Sequence, residues 1–295
     1  MQALDNFCRG SRANLAEFAT HPRFTVHEID LADEGPVTEL VGRLHSQVPI
    51  DEVWHLAANS DIPAGIADPN VDLRDTFLTT FNVVNAMKVT GIPKILFAST
   101  SAIYGDLGAT VLQEDVGPLF PISSYGAMKL ASEGVISAAV ESSLQQALIF
   151  RFPNVIGVPA THGVLLDFAR KLRKDPMRLE VLGNGTQQKG YLHVSDLVDA
   201  MLHLRNSVTR KLDVFNIGAV DEGVSVRTIA EEMVALAAPQ ARLEFGTSSK
   251  GWVGDVPRFR YSVQKLLDTG WRPAMGSHLA MKRAMAEVAA QEGLL

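Results

Sequence analysis

Ser99-Thr100-Ser101 closes the apolar run Ile95-Leu96-Phe97-Ala98, and Tyr125-Gly-Ala-Met-Lys129 follows, with Tyr125 25 positions past Thr100. A tyrosine and a lysine four apart share one face of a helix. A hydroxyl-rich strand end can meet that face across an open α/β sheet. Such a set can remove the proton of a sugar or alcohol hydroxyl while a nicotinamide takes the hydride. Free tyrosine ionises near about 10, too high for a base at neutral pH. Lys129, one turn on, and a positively charged ring would both favour the phenolate. Tyr-x-x-x-Lys alone arises often by chance; the strand end at this spacing makes it specific. The plain alternative is a helix-surface tyrosine beside a solvated lysine.

The elements that must hold these groups follow from the pattern. Phe24–Ile29, Val53–Ala57, Ile95–Ser99 and Ala147–Phe152 are short β-like runs. Between them, 36–47, 72–89 and 125–140 read as helices. This alternation predicts an α/β fold with a parallel, doubly wound sheet. Ligands of such sheets bind beyond the carboxyl ends of the strands, where Asp30, His55 to Asn59 and Ser99 to Ser101 fall. After Asn154 the texture changes: Gly157-Val-Pro159 breaks the alternation and Gly183-Asn-Gly185 marks a turn. A helix is expected over 196–204 and one more strand over 214–217. The expected division is a dinucleotide-binding domain over 1–153 with a return segment at 191–220, and a smaller α+β substrate domain over 154–190 and 221–295.

Composition bounds the partners. The 295 residues are 46% hydrophobic and 20% charged, which predicts a packed core. A net charge of −6 argues against nucleic acid or an anionic membrane. The single cysteine, Cys8, forms no internal disulfide and fits a reducing, cytoplasmic setting. No apolar stretch is long enough for a membrane span. No His, Cys or carboxylate cluster has metal-ligand spacing, so no metal is expected.

One expected feature is missing. No glycine-rich strand-loop-helix precedes the hydroxyl cluster, although that loop ordinarily holds a dinucleotide pyrophosphate. The chain opens on Met-Gln-Ala-Leu-Asp5-Asn6, which reads as the tail of a second strand. An acidic residue there commonly binds adenosine ribose hydroxyls; Asp5 equally suits capping the segment beginning near Ser11.

Asp5-Asn6, His55-Leu-Ala-Ala58, Ser99-Thr-Ser-Ala-Ile-Tyr-Gly105, Pro121-Ile-Ser-Ser-Tyr-Gly126, Arg151-Phe-Pro-Asn154, Gly183-Asn-Gly-Thr186, Tyr191-Leu-His-Val-Ser-Asp196 and Gly251-Trp-Val-Gly-Asp255 fall in one order along the chain. Through them the chain resembles the extended short-chain dehydrogenase/reductases, in particular nucleotide-sugar epimerases of the UDP-galactose 4-epimerase type. The resemblance runs nearly end to end, less about 25 residues of first strand, glycine loop and helix. It implies an N-terminally incomplete version, such as a misplaced start or a truncated gene.

The resemblance implies Tyr125 as acid/base, with Lys129 and Thr100 completing the catalytic set and Ser101 beside them at the substrate. It implies NAD held by Asp5, Asn6, Asp30, Leu31, Leu56, Ala57, Ala58, Tyr125 and Lys129. Asp30 has an alternative role as a helix N-cap. Asn154, Lys189 and Asp255 are the implied contacts to a nucleotide-diphosphate sugar. Lysine at 189 keeps the charge of the family's arginine but loses its fork. His55 reads as strand-end packing and His193 as structural. Thr76 stands where the family usually has an asparagine, and Trp252 where it often has an arginine.

The family's 4,6-dehydratases carry Asp-Glu at the places of Ser101 and Ala102, and its decarboxylases usually keep the glutamate. Their absence narrows the expected reaction to 4-epimerisation through a 4-keto sugar. A ketosugar reductase would use the same Thr-Tyr-Lys set, and a catalytically silent nucleotide-sugar-binding remnant is the alternative from outside enzymology. A homodimer through helices 72–89 and 125–140 is implied as well.

Overall fold

The computed structural model describes residues 1–108, 110–248 and 260–295. The chain divides into two compact units: 1–105, 119–151 and 208–214 form the first, and 106–118, 152–207 and 215–295 the second.

The alternating pattern of the first unit becomes β1 (Gln2–Asp5), β2 (Thr25–Glu28), α1 (Glu34–Gln47), β3 (Val53–His55), α2 (Thr79–Thr90), β4 (Lys94–Thr100), α3 (Ser124–Ser142), β5 (Gln146–Phe152) and β6 (Leu212–Asn216). One sheet has the order β6-β5-β4-β3, with β3 parallel to β4 and Val53 opposite Ile95. β1 and β2 form a separate parallel pair, Asp5 opposite Glu28. The fold is thus α/β with parallel strands and flanking helices.

β4 is buried from Ile95 to Ser99 and emerges only at its two ends. That is why it reads as an unbroken apolar run that turns polar where the chain reaches the sheet edge. Ile95 and Phe97 pack with Val37 of α1, Val83 and Met87 of α2, and Ile136 and Val140 of α3. Each such side chain contributes about 1.5–3 kcal/mol by leaving water. Leu4, Ile29 and Val53 border this same cluster, so both sheets rest on one core.

The helix expected over 72–89 is in fact three pieces. Asp68 and Pro69 start a helical turn at Pro69–Asp72, with the Asp68 carboxylate accepting from Asn70 N. A widened turn follows over Leu73–Leu78, and only then α2. The Thr79 and Thr80 hydroxyls both bond back to the Thr76 carbonyl at 3.0 Å. Such back-bonding competes with the helical ladder and widens it. The start signal at Asp68-Pro69 lies four residues before the expected start.

The second unit has its own core. Leu165, Phe168 and Leu172 of helix Val164–Lys174 meet Ile229 and Met233 of Val226–Ala237, with Met281 and Met285 of Ser277–Gln291. Strand Asn154–Ile156 pairs in parallel with Tyr191–His193. That ladder draws 191–207 into the second unit, where the sequence grouped 191–220 with the first; of that return segment only 208–214 lies in the first. The segment 106–118 also belongs to the second unit, and its Val111–Leu112 pairs with Arg260–Tyr261. Among the described residues, no helix is long and apolar enough to cross a membrane.

Candidate active site

The first turn of α3 is built to meet the end of β4. Ser123 caps the helix by accepting from Gly126 N at 3.1 Å, which sets Tyr125 in the opening turn. Gly126 permits the approach: a Cβ there would lie 2.5 Å from the Ala102 carbonyl oxygen. Thr100 ends β4, and its hydroxyl accepts from Ala102 N at 3.2 Å. That same hydroxyl lowers the pKa of the Tyr125 phenol, against the effect of burial. Thr100 and Tyr125, far apart in sequence, therefore meet. Ser101, partly buried, opens the following turn Ser101–Tyr104.

Lys129 is not a solvated surface lysine. It is 2% exposed, donates from Nζ to the Ala98 carbonyl at 2.6 Å, and lies 4.6 Å from the centre of the Phe97 ring. Burial lowers its pKa to about 7 although the Glu133 carboxylate pulls the other way. Burial likewise pushes Tyr125 up to about 12; the Thr100 hydroxyl opposes this and the Asp72 carboxylate adds to it. Lys129 is thus held where a modest change of surroundings moves its proton, whereas Tyr125 keeps its proton unless positive charge is brought beside it.

Sequence reasoning missed the groups beneath this pair. Glu133, four residues past Lys129, accepts from Arg151 Nε at 3.0 Å and from Arg151 Nη2 at 2.7 Å. The Ser99 hydroxyl donates to the same carboxylate. Arg151 Nη1 donates to the Tyr104 hydroxyl at 2.9 Å. A carboxylate on the inward face of an alanine-rich helix, in register with Tyr125 and Lys129, was the available signal. Asp72 was also missed: it is fully buried, accepts from Asn59 Nδ2 at 2.8 Å, and has its other oxygen without a partner. Burial raises its pKa, against the Asn59 hydrogen bond. Thr76, the departure from the family's asparagine, is buried and its hydroxyl accepts from Asn59 N at 3.2 Å.

His55 sits at the end of β3, 2% exposed, bonded through Nε2 to the Thr80 hydroxyl at 2.9 Å and stacked on Phe97. Burial, reinforced by Lys129, drives its pKa down to about 3. It is a neutral packing residue at working pH, as its sequence context indicated. An unfolded histidine takes up a proton near about 6.5, the folded one only near 3, so acidification through that window favours unfolding. His55→Gln should therefore lose less stability than the parent between about pH 6.5 and 4, by on the order of 2 kcal/mol. Thermal melts across that range measure it; parallel curves would exclude the effect.

The ends of β1 and β2 gather the other expected cofactor residues. Asp5 accepts from Phe7 N at 2.6 Å, so it caps its own turn and not the segment after Ser11. Asn6 accepts from Cys8 N at 3.1 Å and helps to lower the pKa of Asp30. Asp30 accepts from Ala32 N at 2.9 Å and pairs with Arg74. Those contacts outweigh burial and hold its carboxyl below the usual range. The cap of α1 is Asp33, so Asp30 is not that helix's N-cap. Leu31 is buried, Ala57 and Ala58 are partly buried, and Leu56 is exposed.

In the second unit, Asn154 Nδ2 donates to the Gly190 carbonyl at 3.4 Å, placing it beside Lys189. Lys189 lies on strand Gln188–Lys189, paired antiparallel with Val224–Ser225. The two implied diphosphate contacts are thus neighbours. Asp255 and Trp252 lie outside the described residues.

The profile of the NAD dependent epimerase/dehydratase family matches residues 3–218. A UDP-glucose 4-epimerase of Azospirillum brasilense is 28% identical over 86% of this chain and 79% of its own length. A crystal structure of a UDP-galactose 4-epimerase is 32% identical, with a TM-score of 0.82 over 98% of this chain and 90% of that one. The Thermus thermophilus UDP-glucose 4-epimerase solved in complex with NAD is 27% identical, with a TM-score of 0.79 over 97% and 90% of the two chains. The phenol, lysine and threonine thus stand on a fold and a sequence that agree: the chain belongs to the NAD dependent epimerase/dehydratase family.

Proposed function

We propose that this chain is a nucleotide-sugar 4-epimerase of the UDP-glucose/UDP-galactose type, acting through a 4-keto sugar. The observation that carries the reading is Lys129, buried one turn from Tyr125 with its Nζ on the carbonyl of Ala98, two residues before Thr100 at the end of β4. The relatives named for UDP-glucose and UDP-galactose support the substrate class.

NAD is the family's cofactor. The donor set fits it: an exposed carboxylate at Asp5, Asn6 and Asp30 just past the ends of β1 and β2, and the Tyr125–Lys129 pair. Asp5, Asn6 and Asp30 would hold the adenosine end, and Lys129 the nicotinamide ribose. Asp5 favours NAD over NADP because its charge repels a 2′-phosphate. When bound, the cofactor supplies a reversible hydride acceptor.

The chain's own groups move the proton. With the phenol held near 12, Tyr125 is protonated in the unliganded protein at neutral pH. The Lys129 ammonium and a second positive charge beside the hydroxyl favour the phenolate. The phenolate then takes the proton of the sugar 4-hydroxyl by way of Thr100 and returns it after the ketone has turned over. Asn154 and Lys189 orient the diphosphate, and Asp255 the substrate ribose. The same reading expects a homodimer through α2 and α3, and Phe81 on α2 is exposed.

Incubating the purified chain and NAD with UDP-glucose, then following the sugar by proton NMR, tests this. Inversion at C4 without net NADH formation is expected. Stoichiometric consumption of added NADH with a 4-keto sugar would replace the epimerase with a reductase, and binding without turnover of any UDP-, GDP-, dTDP- or CDP-sugar would leave a silent nucleotide-sugar binder.

A further inference from the structure

Tyr125, Lys129 and Glu133 are spaced four apart on α3, so they share one face of the helix. The first two meet the end of β4. Glu133 meets three other elements: Ser99 on β4, Arg151 on β5 and, through Arg151, Tyr104 at the end of the turn that follows Thr100. The pair is enclosed, with both side chains 7% exposed. Ser99 lies between Ala98, whose carbonyl receives Lys129, and Thr100, whose hydroxyl meets Tyr125. One carboxylate is therefore tied to the residue that separates the two contacts of the catalytic pair.

We propose that Glu133 is the positioning residue of this site: its carboxylate, gripped by Arg151 and Ser99, fixes the register of α3 on β4 and sets a fixed negative charge one helical turn from Lys129. This rests on the epimerase reading for its functional meaning, but not for its physical content. The groups facing Lys129 are few. Glu133 favours the ammonium and burial disfavours it. His55 across the Phe97 ring stays neutral, and Arg151 is bound up with Glu133 and Tyr104. Tyr125 lies on the same helix, with Asp72 acting on it from the Pro69–Asp72 turn. Removing the Glu133 charge leaves burial unopposed, so the ammonium should lose its proton at lower pH. Arg151, left without its carboxylate, would push in the same direction.

The test is the titration of Lys129 itself, read by NMR on protein labelled with carbon-13 and nitrogen-15 lysine. The signal is assigned by its loss in Lys129→Met. In the parent chain it should titrate near pH 7. In Glu133→Gln, which keeps an acceptor for Ser99, the midpoint should fall by about one pH unit. Where the protein turns over a sugar, the alkaline limb of kcat/KM should move down with it, while KM changes little. Should Glu133→Gln fail to fold, Glu133→Gln/Arg151→Met removes both charges, and the midpoint should still fall because Glu133 is the charge that favours the ammonium. An unmoved midpoint in whichever variant folds overturns the proposal. Because the midpoint is read without substrate or NAD, a chain inactive on every sugar would sink the epimerase reading and leave this one to be decided on its own measurement.

Discussion

Tyr125→Phe should lower the rate of C4 inversion by about 10²–10⁴-fold and leave the fold intact, the usual effect of removing one positioned acid/base group. The substitution deletes a single oxygen and leaves the ring in place. Losing one polar contact costs about 1 kcal/mol, so the melting temperature should move by a few degrees at most. Thr100 keeps its bond from Ala102 N, so the end of β4 does not rearrange. The signature is a fall in kcat with KM little changed, since in the proposed mechanism the phenol acts on the reacting hydroxyl and not on the diphosphate. The pH profile gives a second readout. The phenol alone is held near 12, and bound positive charge brings its ionisation into the working range. Parent kcat should therefore rise with pH through that ionisation, and the residual activity of Tyr125→Phe should not. A variant within about tenfold of the parent would remove Tyr125 from the chemistry.

How far the sequence carried this site depends on the range of the interactions involved. Tyr125 and Lys129 are four apart on one helix, and Ser99 to Ser101 end an apolar run, so local periodicity placed each group, while the family resemblance implied that they act together. The parallel sheet was legible in the same way, because β4 is covered on both faces and carries no alternation. What escaped was set by tertiary contact. Glu133 stands in the alanine-rich helix as one acidic residue among small ones; its partners lie 18 residues ahead at Arg151 and 34 behind at Ser99. The burial of Asp72 depends on Gly65, where a Cβ would lie 1.7 Å from its carboxylate, a closeness no periodicity encodes. The break in the expected 72–89 helix is intermediate. Its start signal, Asp68-Pro69, is local, but the widened turn arises from threonine hydroxyls that chose backbone carbonyls. Asp30 illustrates competition: its position allowed a cap or a ligand contact, but the cap of α1 falls at Asp33 and the Asp30 carboxylate pairs with Arg74.

Arg151→Met should destabilise the first unit by about 3–5 kcal/mol, the usual cost of leaving one partner of an enclosed ion pair alone. The guanidinium meets Glu133 through Nε and Nη2 and Tyr104 through Nη1, so all of these interior hydrogen bonds lose their donor at once. An exposed pair would contribute about 0–1 kcal/mol and its loss would pass unnoticed; with both side chains 7% exposed, that bound does not apply here. Urea titration of the single variant against the parent measures the loss. The double variant Arg151→Met/Glu133→Gln separates two causes. If the penalty comes from stranding a carboxylate, neutralising it should recover most of the loss, because apolar or neutral replacements of buried pairs are often tolerated. If it comes from the volume and packing of the guanidinium, the double variant should be no more stable than the single one. Recovery of stability without recovery of turnover is the expected combination, since the double variant keeps the core filled but leaves Lys129 without its carboxylate. Full turnover in the recovered fold would show that α3 finds its register on β4 from apolar packing alone.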